Sequence, residues 1–278
     1  MCDDMLGGIL QRAEKANAPA AGDYEEGGVL MCGRCRTPKQ KLIEIAGQTM
    51  KVPCMCRCAA EADEKAREEQ GRTEFRALLT DMWNGDGICN RAFERCSFDH
   101  DDGQDERNMR VCRRYAEKWE AVREKNIGLL LTGTVGTGKS FAASAIASAL
   151  IRKRVTVCVT NFPRLLNLLQ DAQRRQALLD RLNLYSLLVI DDLGVERDSG
   201  YACEQIFNVI DARAQAEKPL IVTTNLTLDA LQNDNSTERA RIYDRILEMC
   251  PVRLVMTGTS RRTKNAEERT AFAREILR

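Results

Sequence analysis

Gly133-Thr134-Val135-Gly136-Thr137-Gly138-Lys139-Ser140 has the spacing G-x-x-x-x-G-K-[ST] of a Walker A loop, which cradles nucleotide phosphates. The chemistry sets the residue types. Glycines let the backbone bend until successive N–H groups point inward at phosphate oxygens. Lys139 would reach the β- and γ-phosphates of a nucleotide, and the Ser140 hydroxyl would ligate Mg²⁺. About fifty residues later the apolar run Leu187-Leu188-Val189-Ile190 ends in Asp191 and Asp192. Strand ends are where α/β sheets place their sites. There Asp191 would hold Mg²⁺ through its water shell, and Asp192 would polarise an attacking water. Acids that merely cap a strand are common; it is their order after the glycine loop that gives them meaning.

A second group of residues carries different chemistry. Cys32 and Cys35 form C-x₂-C, and Cys54, Cys56 and Cys58 follow after an eighteen-residue gap. A C-x₂-C knuckle offers two thiolates to one tetrahedral Zn²⁺, and four thiolates complete a structural site with no open position. Four of these five cysteines are expected to bind zinc, and the spacing does not say which. A redox switch or metal-free buried thiols is the competing reading, and five thiols this close favour metal. The chain has 12 cysteines, and the others are scattered. Its single histidine, His100, sits in a polar, acidic run, which argues against histidine-based acid–base catalysis.

These groups need elements to hold them. Ile127–Leu131 reads as a buried strand entering the glycine loop, and Phe141–Ile151 as the helix leaving it. Strands at Val155–Val159, Leu187–Ile190 and Leu220–Thr223 then alternate with helices from Pro163 and over Tyr201–Ala216, the pattern of a parallel α/β sheet. Arg107–Lys125 reads as a helix that precedes it, and the charged stretch Ala59–Leu79 as a helix that leaves the cysteines. The expected division is a lead-in at 1–30, a cysteine module with its helix at 31–82, a linker at 83–106 and an ATPase domain at 107–278.

Composition sets the outer limits. A chain of 278 residues holds one large α/β domain plus a smaller module, and a formal net charge of +1 gives no global basic field for nucleic acid. Arg152-Lys153-Arg154 and Arg174-Arg175 are local basic spots, and the triplet is equally explained by its place at a helix C-terminus. The sequence shows neither a bilayer-length apolar run nor a signal-peptide pattern, so a cytoplasmic protein without membrane contacts is expected.

Three later segments complete the pattern. Ile221-Val222-Thr223-Thr224-Asn225 is a strand ending in polar groups. Arg241 and Arg245 lie four apart on one helix face, with Ile242 and Ile246 on the neighbouring one. Gly258-Thr259-Ser260-Arg261-Arg262 follows a strand-like Val252–Met256. With the phrases Asp-Asp-Leu-Gly-Val-Glu-Arg and Lys-Pro-Leu-Ile-Val-Thr-Thr-Asn, residues 90–278 resemble the AAA+ ATPases of the DnaC/DnaI helicase-loader type and the related IstB-type transposition ATPases.

The resemblance implies an AAA+ P-loop fold, a parallel sheet flanked by helices with a short or absent lid, joined to a small zinc-binding module. It implies that the sensor strand lies between the two motif strands, and that Asn225 orients water near the γ-phosphate. Arg245 would be the finger that reaches a neighbouring subunit's nucleotide, with a surface salt bridge to Asp244 or Glu248 as its alternative. Arg262 would touch the γ-phosphate in cis, although Arg261 beside it leaves the register open. Many relatives have Glu where Asp192 stands, which keeps a non-hydrolysing adaptor in view. The implied partners are a hexameric replicative helicase, single-stranded DNA within an oligomer's channel, and further copies of this chain, with a transposase as the alternative.

Overall fold

The structure, a computed structural model, describes residues 19–45, 48–86, 88–194 and 199–277. The chain divides into two compact units, residues 1–77 and 78–278. The lead-in expected at 1–30 falls partly outside the described residues, and its remainder is structured.

In the first unit, β1 (Tyr24–Glu26) and β2 (Val29–Met31) pair antiparallel around Gly27-Gly28. Both glycines have positive φ, 58° and 77°, which a two-residue hairpin turn of this hand requires. A second hairpin joins β3 (Gln40–Ile45) to β4 (Gln48–Pro53), with Leu42 opposite Lys51 and Ile43 opposite Met50. The long helix α1 (Arg57–Asp86) follows. Its exposed faces carry (i, i+4) ion pairs such as Arg67–Asp63 and Arg57–Glu61, in line with the solvated face expected of this stretch.

The second unit is a five-stranded sheet in the order β6-β7-β8-β5-β9: β5 (Leu129–Thr132), β6 (Val157–Asn161), β7 (Leu187–Leu193), β8 (Leu220–Thr224) and β9 (Val252–Val255). All neighbouring pairs are parallel. Leu129, Leu130 and Leu131 are fully buried, as are Leu187 to Ile190 and Leu220 to Val222. Strands covered on both faces read as unbroken apolar runs, which is why they were visible in the sequence. The strand ending near Asn225, β8, lies between β7 and β5, as the resemblance implied.

Helices cover the sheet: α2 (Glu106–Glu117), α3 (Trp119–Glu124), α4 (Lys139–Arg152), α5 (Phe162–Leu169), α6 (Arg175–Leu182), α7 (Gly200–Gln215), α8 (Leu228–Gln232) and α9 (Thr237–Met249). The helix expected over Arg107–Lys125 is two helices, broken at Lys118. One further helix, α10 (Arg261–Ile276), follows β9.

Residues 83–106 differ from the linker expected there. Trp83, Ile88, Phe93 and Phe98 are all buried, and Trp83 meets Phe93 edge to face at 5.6 Å. The Trp83 indole N–H donates to Val157 O at 3.0 Å, and the Asn90 N–H to Val159 O at 2.7 Å. These bonds satisfy carbonyls on the outer side of β6, an edge strand that would otherwise stand open.

Candidate functional site

The glycine loop joins β5 to α4. Gly133, Gly136 and Gly138 hold φ of 140°, 85° and 95°, and Gly138 caps α4 in the left-handed region. A side chain would not fit at any of the three: a Cβ on Gly133 would meet the backbone Met256 O at 2.4 Å. A Cβ on Gly136 would meet Ser260 Oγ at 2.2 Å, and one on Gly138 would meet Arg261 Nη1 at 2.4 Å. The N–H groups that point out of the first turn of α4 and the helix dipole make this a ready anion site. Lys139 is only 5% exposed and donates to Gly133 O and Thr134 O, both at 2.8 Å. Its ammonium therefore rests on carbonyls of its own loop.

A cavity of about 360 Å³ opens beside this loop, lined by Gly138, Lys139, Ser140, Asp192, Asn225 and Arg261 among others. The sheet brings residues more than eighty positions apart to one place, because the ends of β5, β7 and β8 lie side by side. Between Ile190 and Leu193 the register of β7 against β8 shifts, so Asp191 and Asp192 together face Thr223. This bulge turns Asp192 to φ 58°, an unfavourable region for an L-residue. The buried Thr223 holds the turn: its hydroxyl donates to Asp191 Oδ1 at 2.6 Å and accepts from the Asp192 N–H at 2.9 Å. Thr223 has no role in the sequence reading, although strand alternation puts it on the same face as Asn225.

Arg261 is the cavity's second cation. Its Nε and Nη2 reach Asp102 at 2.7 and 2.6 Å, and its Nη1 donates to Thr137 O. Its backbone N–H donates to Gly136 O at 3.0 Å. The Arg262 side chain lies outside the described residues. Arg245 is not among the cavity-lining residues. It sits on α9 and pairs with Asp211 on α7 at 3.1 Å and with Glu248 at 2.7 Å, and these acids raise its pKa. The surface ion pair to Glu248 is thus formed in the isolated chain. Arg241 lies over the Phe207 ring at 4.8 Å.

In the first unit the sulfurs of Cys32, Cys35, Cys56 and Cys58 lie within 4.8 Å of one another. Cys32 and Cys58 are 3.7 Å apart, and Cys56 and Cys58 3.5 Å. A tetrahedron with metal–sulfur bonds of ~2.3 Å spaces its sulfurs about 3.8 Å apart, so the set fits zinc. Cys54 stands outside it, its thiol directed to Pro38 O at 3.5 Å. Supporting groups surround the knuckle. The Thr37 hydroxyl lies 3.1 Å from Cys35 Sγ and accepts from the Arg57 N–H at 2.9 Å. Asp23 accepts from the Gly33 N–H at 3.0 Å and from Lys39 Nζ at 2.7 Å. The hydrogen bond from Lys39, with those from the backbone, holds the Asp23 carboxyl down at about 2.

The comparisons with known proteins agree with this geometry. The replicative helicase loader DnaI of Bacillus subtilis (strain 168) is 28% identical over 152 residues, which are 50% of this chain and 48% of that one. The chain thus spans about half the length of that relative. The phage-like element PBSX protein XkdC of the same organism is 27% identical over 257 residues, 87% of this chain and 86% of its own. A crystal structure of DnaI superposes with a TM-score of 0.52 at 26% identity, covering 62% of this chain and 93% of that one. The second unit thus has the AAA+ P-loop fold. Residues 66–269 match the family described as IstB-like ATP binding protein. With its glycine loop, paired acids and sensor strand in that order on one sheet, the chain belongs to the IstB-like ATP binding protein family.

Proposed function

We propose that the chain binds and hydrolyses ATP to load a replicative helicase onto DNA, with each site completed by a neighbouring copy. The observation that carries this reading is the pairing, in one chain, of an ATPase domain similar to a replicative helicase loader with a separate four-cysteine module. A four-thiolate zinc site has no open position for catalysis and serves to hold a small module in shape. Such a module suits docking to a protein partner.

In this reading ATP occupies the cavity with its phosphates on the loop from Gly133 to Ser140. Lys139 gives up its two carbonyl partners for phosphate oxygens, a stronger charge-assisted bond. Ser140 and Asp191 would hold Mg²⁺, which neutralises phosphate charge when bound. Asp192 takes the proton of the attacking water and Asn225 orients it; both line the cavity. Arg261, at the cavity wall, contacts the γ-phosphate in cis in place of Arg262. Arg245 acts in trans, exchanging Asp211 and Glu248 for the phosphate of an adjacent subunit. Single-stranded DNA would run through the channel of the resulting oligomer.

Arg245→Ala is expected to keep ATP binding and lose hydrolysis by a factor of about 10³ or more; normal turnover would rule out the finger. The partner is tested by co-purification. Recovery of a hexameric helicase supports the loader role, and a chain that binds no helicase is not a loader. The second reading, an ATP-binding helper that selects target DNA for a transposase, is supported by the IstB-like family match. Recovery of a transposase would establish it. Metal analysis should find about one zinc per chain, by the four-thiolate logic. Cys54→Ser should keep it and Cys35→Ser should lose it.

A further inference from the structure

The segment before α2 is fastened to the segment before α10 by a row of bonds. Asp102 takes the Arg261 guanidinium in a two-pronged pair at 2.7 and 2.6 Å. Next, the Thr259 hydroxyl donates to Gln104 Oε1 at 3.2 Å. The Thr257 N–H donates to Asp105 Oδ2 at 2.9 Å, and Asn108 Nδ2 to Val255 O at 2.9 Å. Asp105 also caps α2 by accepting from the Asn108 N–H. Two chain segments more than 140 residues apart in sequence therefore run side by side, with Asp102 at the end nearest the glycine loop.

That position decides what Asp102 does. The Arg261 side chain is 20% exposed and the Asp102 side chain 39%, so the pair sits at the cavity rim. Exposed ion pairs usually contribute little, but a fork-to-fork arginine–carboxylate pair also fixes orientation. Asp102 occupies the Nε edge and Nη1 is turned to Thr137 O in the glycine loop. Three of five donors are thereby assigned, and the guanidinium lies against Gly138, where the loop passes into α4. An arginine side chain at the start of a helix would otherwise sample many rotamers, at a cost in entropy each time it engaged a ligand.

We propose that Asp102 is the positioning residue for Arg261: it holds the guanidinium at the cavity wall, so that the chain distinguishes a nucleoside triphosphate from a diphosphate. This rests on the reading of Arg261 as the γ-phosphate contact, and it adds a residue and a specificity to that reading. Asp102 touches no nucleotide in this scheme. It acts through Arg261 alone.

The test measures affinities of the full-length, zinc-loaded chain for ADP and for a non-hydrolysable ATP analogue, and takes their ratio. Arg261→Ala should lower the preference for the triphosphate roughly tenfold or more, the scale of a charge-assisted hydrogen bond. Asp102→Ala should lower it by at least about threefold while leaving ADP affinity unchanged, and Asp102→Asn, closest in shape, should fall between. The double variant should match Arg261→Ala within about twofold, because the two residues act as one unit. Gln104→Ala cuts a neighbouring bond of the same row and should leave the ratio unchanged. A collapse of the ratio in Arg261→Ala with none in either Asp102 variant overturns the positioning role and leaves the γ-phosphate reading intact. An unchanged ratio in Arg261→Ala overturns both. Loss of preference in Gln104→Ala equal to that in Asp102→Ala overturns the proposal in favour of general support by the whole row.

Discussion

Lys139 and Arg213 are both buried cations held by backbone carbonyls, at opposite ends of one parallel sheet, and they are held for different ends. Arg213, on α7, is 1% exposed and uses all five of its N–H donors: on Leu182 O, Tyr185 O, Ser186 O and twice on Pro219 O, at 2.9 to 3.3 Å. Those carbonyls precede β7 and β8, so one side chain gathers the entry of two strands and the end of α6. Burial pushes its pKa down to about 9, a measure of what the bonds must offset. Lys139 makes two carbonyl bonds to a glycine-bent loop that borders a cavity. A carbonyl lone pair can be exchanged there for a charged phosphate oxygen. The same chemistry is permanent where the donors are saturated and enclosed, and exchangeable where a cavity adjoins it.

The largest test of this contrast is Arg213→Met, which strips five hydrogen bonds from four carbonyls, of which Pro219 O keeps only a long bond from the Leu188 N–H at 3.4 Å. We expect a loss of about 3–5 kcal/mol of unfolding free energy by urea denaturation. A loss below about 1 kcal/mol would mean that the carbonyls find water, and the contrast would fail. Lys139→Ala should do the reverse. ATP affinity should fall by about a hundredfold or more, whereas stability should change by less than about 1.5 kcal/mol, since loop carbonyls beside a cavity can be hydrated. Thr223→Val sharpens the picture at the cavity end. It removes both Thr223 bonds to the β7 bulge, and hydrolysis should slow by roughly 10²-fold at unchanged ATP affinity, the scale of a misplaced catalytic group. Asp192→Gly gives the smallest change in stability: relief of the positive φ should raise it by about 1 kcal/mol while hydrolysis is lost. Unchanged or lower stability would show that the bulge carries no strain.

What the sequence made legible follows from how local each signal is. The strands entering and leaving the site are unbroken apolar runs, and the glycine loop and paired acids sit at their ends, so position and chemistry are written in adjacent residues. Trp83, Phe93 and Phe98 are isolated in polar surroundings with no period to betray them, and they became an expected linker. The Gly27-Gly28 turn carries a hairpin signal, but strands of three residues give it little flanking pattern. Which cysteine stands aside depends on the two halves of the knuckle meeting in space. The Asp102–Arg261 pair spans 159 positions, and the role of Thr223 exists only because β7 slips against β8. Pairings of that kind belong to the tertiary structure.

The Gly33 backbone, whose N–H Asp23 holds, leaves no room for a side chain. A Cβ there would lie 2.0 Å from Gly22 O, so residues 20–23 lie flush against the cysteine knuckle. Zinc capture by the four cysteines would then seat the incoming chain in the same folding event. Zinc should slow hydrogen exchange and protease cleavage at residues 20–23, four positions that supply no ligand. A change at Asp23 should weaken metal retention as surely as a change in the coordination sphere. The boundary of the metal site is therefore drawn by steric fit, well outside its sulfurs.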